Sequence, residues 1–187
     1  MNLKQNLKFS FLFIVVLWAI WLIDFILPFE LTRFGISPRT AKGIIGIFFS
    51  PFLHANIFHL VSNTLPVFFL LLTMLIFYKN VAPKIVILSI LGGGILVWIF
   101  ARSSYHVGAS GLIYSLAAFL IANGFFRKNF KSIVIAVAIV IFYGGLFWGI
   151  FPTKVRISWE GHLFGAIAGI ILAYIFKNEE LDADSNE

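Results

Sequence analysis

The chain has 187 residues, 60% of them hydrophobic, 18% aromatic and only 12% charged, and its mean hydropathy is +0.99; soluble domains run near half apolar and a quarter charged, so an ordinary soluble enzyme is excluded. The net charge of +6 sits in short basic clusters between apolar runs, which suits topology signals and lipid headgroups and excludes a nucleic-acid-binding face. There is no cysteine, so disulfides, thiolate metal sites and cysteine nucleophiles are excluded as well.

Roughly six apolar runs of about 17–22 residues can be drawn, each long enough to cross about 30 Å of hydrocarbon as a helix. The first runs from Phe9 to Leu27, begins after Lys4 and Lys8, and stops at Pro28. No small-residue cleavage site follows it, so it reads as a retained signal-anchor. The connector from Pro28 to Asn56 contains the apolar stretch from Gly43 to Leu53, too short to span and too apolar for a free loop. An interfacial or partly submerged hairpin is expected there. Further spans are expected over Ile57–Tyr78, Pro83–Ala101, Ser110–Phe126, Ile133–Phe151 and Glu160–Phe176. The organisation is therefore a cytoplasmic N-terminus over residues 1–8, one six-helix membrane domain over 9–176, and a tail over 177–187. That tail carries Glu179, Glu180, Asp182, Asp184 and Glu187 and has the composition of a disordered segment.

Lysine and arginine orient the spans. Lys79 and Lys84 flank one tight turn, and Arg127, Lys128 and Lys131 crowd another. With Lys4, Lys8 and Lys177, they place both termini in the cytoplasm, in the manner of a bacterial inner membrane. Arg33, Arg39, Lys42, Arg102, Lys154 and Arg156 then lie outside; density in the shortest loops decides the orientation.

Few polar residues interrupt the apolar background. His59 and Asn63 lie four positions apart, on one helical face, with His54 just before that helix. Gly108-Ala109-Ser110-Gly111 forms a turn at the start of the fourth span, and Tyr114 follows one helical turn after Ser110. His162 lies near the start of the sixth span, within the series Gly161, Gly165 and Gly169; Gly111 and Ser115 give the fourth span a shorter small-residue stripe. Such stripes let helix backbones approach closely in lipid. Both spans enter from the same side, so packing on these stripes brings Ser110 and His162 to similar depth.

Serine becomes a nucleophile when a base takes its proton, and neutral histidine is the usual partner. A tetrahedral oxyanion needs donors, which the free N–H groups at the start of a helix can supply. His59 and Asn63 are candidates for two more. Glu160, placed by the sequence at the water boundary, is the one carboxylate near His162. A Ser–His dyad is therefore expected, with Tyr114 packing on the imidazole.

The segment from His54 to Asn63, the Gly108–Gly111 turn with Tyr114, and Gly161-His162-Leu163-Phe164-Gly165 with Gly169 together resemble the rhomboid family of intramembrane serine proteases, in that family's order and spacing. The resemblance implies an all-α, six-helix bundle with a water-filled cavity opening outward and an interfacial first outer loop. It implies Ser110 as nucleophile, His162 as general base, and an oxyanion hole from His59, Asn63 and the Ser110 N–H. It implies a supporting hydrogen bond from His54, a stack of Tyr114 on His162, and Gly108 in the active-site loop. The implied partners are membrane lipids and protein substrates whose transmembrane helices are cut near their outer ends; nucleic acid, metal and cofactors have no part. One departure is clear: many rhomboids carry a Trp-Arg pair in the first outer connector, where this chain has Ile45-Gly46.

Rival classes fare worse. A metal enzyme built on His54, His59, His106 and His162 would lack the carboxylate and the His-Glu-x-x-His spacing that such sites use. A two-aspartate protease has only Asp24 before the tail. A transporter would be expected to show broken helices and paired charges at mid-membrane. The remaining alternative is a catalytically silent rhomboid-like protein that binds transmembrane helices, although such a relative should have lost Ser110 or His162. Among the remaining residues, His106 is expected to have no catalytic role, and Phe142, Phe147 and Trp148 on the fifth span are candidates for a lateral substrate gate but read more simply as lipid-facing bulk.

Overall fold

A computed structural model describes residues 2–27, 30–152 and 158–179 of an all-α membrane bundle. The greater part of the acidic tail, together with Pro28, Lys154 and Arg156, lies outside the described residues. Helix α1 (Leu3–Ile26) starts six positions before the expected span. Its first turn is closed by a capping box in which the Asn2 side chain accepts the Gln5 N–H at 2.9 Å and the Gln5 side chain accepts the Asn2 N–H at 2.9 Å. Lys4 and Lys8 therefore belong to the helix. Most of its apolar side chains are exposed, as lipid contact requires, while buried Asn6 reaches across to donate to the Leu75 carbonyl at 3.1 Å.

The connector contains a short helix, α2 (Ala41–Phe49), between two 3-10 turns at Leu31–Phe34 and Ser50–Phe52. Thr40 caps α2 by accepting the Gly43 N–H at 3.1 Å. The segment folds against the next-but-one span: the Arg39 N–H donates to the Trp98 carbonyl, and the Trp98 indole donates back to the Thr40 carbonyl. Helices α3 (Ile57–Phe77), α4 (Ala82–Phe100) and α5 (Ser110–Arg127) follow the expected spans to within two residues. Asn56 caps α3 through the His59 N–H. The fifth run begins at Phe130 as α6 (Phe130–Tyr143) and tightens to 3-10 winding over Gly144–Ile150, where three glycines weaken the α-helix. Helix α7 (Trp159–Ile175) closes the bundle. Five of these runs are long and apolar enough to cross a membrane; α7, with 17 residues, is about 25 Å long and somewhat short of a full hydrocarbon thickness.

Glycine decides how the helices meet. Gly165 of α7 lies against the Gly111 backbone of α5, and Gly169 lies one turn on against the Ser115 backbone. Because both numbers rise together, α5 and α7 run parallel and in register. On its other side α7 meets α4, where Gly93 faces Gly165 and Gly92 faces Ala168. Lipid tails are as apolar as leucine, so this association depends on close van der Waals packing of backbones. Below the glycines, Leu70, Leu71, Met74, Leu116, Phe119 and Leu120 form a fully buried layer from α3 and α5.

These contacts leave no room for a methyl group at Gly165 or Gly169, because the intruding atom meets backbone that cannot turn aside. Gly165→Ala and Gly169→Ala are therefore expected to cost about 1–3 kcal/mol each. Gly145→Ala, where a new Cβ meets nothing within 4 Å, is the control. Thermal unfolding in detergent should separate the two classes; equal midpoints for all three variants would reject the close parallel contact.

Candidate active site

The turn before α5 is fixed from three sides. Gly108 has φ +117°, a left-handed conformation open to glycine, and its N–H donates to the Ser50 carbonyl at 2.8 Å. Its α-carbon packs on the His59 ring with the Asn63 amide beside it, so a Cβ is excluded sterically as well. The next N–H, that of Ala109, donates to His54 Nε2 at 3.4 Å. Upstream, His106 and Ile36 exchange backbone hydrogen bonds at 2.9 and 3.0 Å, stitching this loop to the first connector.

Ser110 is the first residue of α5 and is half-buried. No side chain caps this helix, so the N–H groups of its first turn keep their donor capacity. A cavity of about 40 Å³ opens beside it, lined among others by Ser50, Ser89, His106, Ser110, Ser158 and Gly161. That volume is large enough for a small number of waters.

His162 lies in the first turn of α7. Its ring stacks on Tyr114 with centroids 4.2 Å apart and planes 4° from parallel. Tyr114 is one turn along α5 from Ser110, so the stack holds the imidazole over the α5 face that begins with the serine. The Nδ1 atom lies 2.8 Å from the Gly149 carbonyl. A carbonyl only accepts, so Nδ1 carries the proton and Nε2 is left as the basic nitrogen. Gly149 was not anticipated: a backbone acceptor has no side-chain signature, and only the glycines of that segment hint at close approach. The absent side chain matters, since a Cβ there would strike the Tyr114 hydroxyl.

His59, Asn63 and His54 gather on the far side of the turn. His54 and His59 meet edge to face at 5.1 Å between centroids. Asn63 is 4% exposed, and its Nδ2 is buried with no hydrogen-bond partner. An unsatisfied buried donor is a rarity that calls for an explanation. The packing glycines sit as expected, with Gly111, Gly165 and Gly169 on the α5–α7 contact; Gly161 touches Gly111 through its carbonyl and its N–H is taken by the Ser158 cap at 3.2 Å.

Glu160 departs from expectation. It is 3% exposed instead of sitting in water, and its Oε1 pairs with Arg102 Nε at 3.2 Å. Burial of a carboxylate is tolerable because that cation reaches it. His106 is buried too, 2.6 Å from the Ser158 hydroxyl. Phe142, Phe147 and Trp148 are exposed, as lipid-facing side chains would be. Among the described residues no three His, Asp or Glu side chains form a metal-ligand set.

A family model described as Rhomboid domain matches residues 41–179. Proteins of Mycobacterium bovis and Mycobacterium tuberculosis are each 35% identical over 182 residues, covering 91% of this chain and 75% of the relative. A Mycobacterium leprae protein is 35% identical over 179 residues, covering 90% of this chain and 70% of its own length. All are described as uncharacterized, so their likeness brings no activity with it.

Burial, and the neighbouring His59, push the His54 pKa down from 6.5 to about 4, against a smaller opposing pull from the Phe52 carbonyl. A base whose native pKa lies below its unfolded value binds protons more weakly when folded. Its contribution to stability is complete above about pH 6.5 and is lost as the pH falls toward 4, up to about 3 kcal/mol. Burial lowers His106 in the same direction. Unfolding midpoints in detergent at pH 7 and pH 4.5 should show this acid loss in the wild type and a smaller loss in His54→Gln, whose amide oxygen can still accept from Ala109. An identical loss in both proteins would assign the titration elsewhere.

Proposed function

The chain belongs to the rhomboid family, and on that premise we propose that it is an intramembrane serine endopeptidase with a Ser110–His162 dyad. The observation that carries this reading is the held imidazole: stacked on Tyr114, with Nδ1 committed to the Gly149 carbonyl, it offers Nε2 on the helix face that starts at Ser110. We take α7 as the sixth span and place both termini on the side of Lys79, Lys84, Arg127, Lys128 and Lys131, the cytoplasmic face of a bacterial inner membrane.

In this mechanism the Ser110 oxygen attacks the scissile carbonyl while its proton passes to His162 Nε2. The carbonyl oxygen gains the negative charge and is met by the Ser110 N–H, the unsatisfied Asn63 amide and His59. Collapse of this intermediate breaks the C–N bond, and His162 returns its proton to the departing amine. A water then attacks the acyl-serine and gives its proton to His162; the C–O bond to Ser110 breaks, His162 returns that proton to the serine oxygen, and the new carboxyl end leaves. The Gly149 carbonyl orients the imidazole but carries no full charge, so it stabilises the imidazolium less than a carboxylate would. The substrate class is a transmembrane helix unwound near the Ser110 end of the bundle; helices with small or helix-destabilising residues there yield an extended chain at least expense.

Incubation with a reporter transmembrane substrate in proteoliposomes tests the reading. Ser110→Ala and His162→Ala are expected to abolish cleavage, and a fluorophosphonate probe should label Ser110 alone. Asn63→Ala should slow turnover about 100-fold if it donates to the oxyanion. Cleavage retained in the Ser110 variant would sink the dyad, and absence of both labelling and cleavage in the wild type would favour a silent helix-binding relative.

A further inference from the structure

Glycine-on-backbone contact sets the separation and the coarse alignment of α5 and α7, but it supplies no directional bond that fixes their axial position finely. Direction at the Ser110 end comes from a polar strap. Arg102, just past α4, pairs with Glu160 in the first turn of α7 at 3.2 Å. His106, in the loop that leads to Ser110, meets the Ser158 hydroxyl at 2.6 Å through Nδ1 and donates from Nε2 to the Arg102 carbonyl at 3.0 Å. Ser158 in turn caps α7 by accepting the Gly161 N–H at 3.2 Å. The same His106 is tied through its backbone to Ile36 of the first connector. The loop of the nucleophile and the first turn of the base's helix are thus bonded to each other four residues before Ser110 and within four residues before His162.

The chemistry of the ion pair points away from simple stabilisation. Glu160 is 3% exposed and its Oε2 is buried without a hydrogen-bond partner. A buried ion pair is weak as a source of stability and can often be replaced by apolar residues of similar volume without loss; its best-attested use is to fix register. We propose that Glu160 and His106 are positioning residues, which set the axial register of His162 against Ser110 by strapping α7 to the loop before α5. This rests on the dyad proposed above, and neither residue touches the reacting atoms.

The test uses full-length protein in proteoliposomes, with reporter cleavage giving kcat and KM, fluorophosphonate labelling giving the reactivity of Ser110, and thermal unfolding giving stability. The double variant Arg102→Met/Glu160→Met is expected to keep its unfolding midpoint within a few degrees while kcat falls about 10- to 100-fold at unchanged KM, the cost of misplacing reacting groups by up to about 1 Å. His106→Asn, whose side chain can still reach Ser158, should retain more kcat than His106→Ala. Wild-type kcat in the double variant would overturn the proposal, as would a kcat loss that tracks the unfolding midpoint or a change confined to KM. If the double variant fails to fold, the His106 pair decides, and equal kcat in Asn and Ala variants rejects the strap. A wild-type protein that neither cleaves nor labels rejects the dyad itself, a result distinct from an active wild type with indifferent variants.

Discussion

Backbone touching backbone between α5 and α7 is the constraint from which the rest of the molecule follows. Inside a bilayer, helices gain nothing by burying leucine, so partners are chosen by how closely they can approach. Gly165 on Gly111 and Gly169 on Ser115 bring these two helices together in parallel register, and Gly93 brings α4 against the opposite side of α7. Parallel register has a chemical consequence. It sets two helix N-termini side by side at one depth, and both Ser110 and His162 belong to first turns. The first turn is also where backbone N–H groups are unbonded, so the donors that the proposed oxyanion hole requires come with the architecture.

In the proposed dyad, backbone atoms take the part that an acid plays in soluble hydrolases. The Gly149 carbonyl fixes the His162 tautomer, and the Tyr114 ring fixes its plane. A carboxylate is in fact nearby, but Glu160 stands two residues before His162, which is roughly 200° around the helix. It therefore faces Arg102 and not the imidazole. A neutral orienter suits this setting, because a carboxylate beside the histidine would need burial in a poorly hydrated site and would carry a large desolvation penalty.

Much of this was legible before any coordinates. Long apolar runs announce spanning helices to within a few residues, because hydrocarbon thickness allows little latitude. Glycine spacing announced the α5–α7 contact, since removal of side chains at every fourth position has few other uses. The i, i+4 relations of His59 with Asn63 and of Ser110 with Tyr114 carried over directly, helix geometry being fixed. What escaped was anything carried by backbone atoms or by tertiary pairing. The Gly149 acceptor has no residue type to mark it. Glu160 reads as a surface acid until Arg102, 58 positions away in sequence, is known to reach it. The start of α1 is masked in the sequence, where Lys4 and Lys8 conceal a capping box formed by two neutral side chains, Asn2 and Gln5.

The first connector illustrates how one anchoring device can stand in for another. This segment has Ile45-Gly46 where the resemblance leads one to expect a Trp-Arg pair. The connector is nonetheless docked, by different atoms. Gly46 lets α2 lie directly on the Gly35 backbone, and Gly94 of α4 receives Ile47. Arg39 extends to the end of α4, where its guanidinium donates to the Ile99 and Ala101 carbonyls at 3.1 and 2.7 Å. Those are acceptors left over at a helix C-terminus, the natural target of a cation. Arg39 adopts φ 59°, a strained conformation for a residue with a side chain, and such strain persists where surrounding bonds overdetermine it. Its own N–H, bound to the Trp98 carbonyl, supplies one of them. With Ile36 paired to His106 and Ser50 accepting from Gly108, the docked connector becomes a wall behind the loop before Ser110. A loop backed in this way keeps Gly108 in its left-handed turn, and that turn aims Ser110 at the start of its helix.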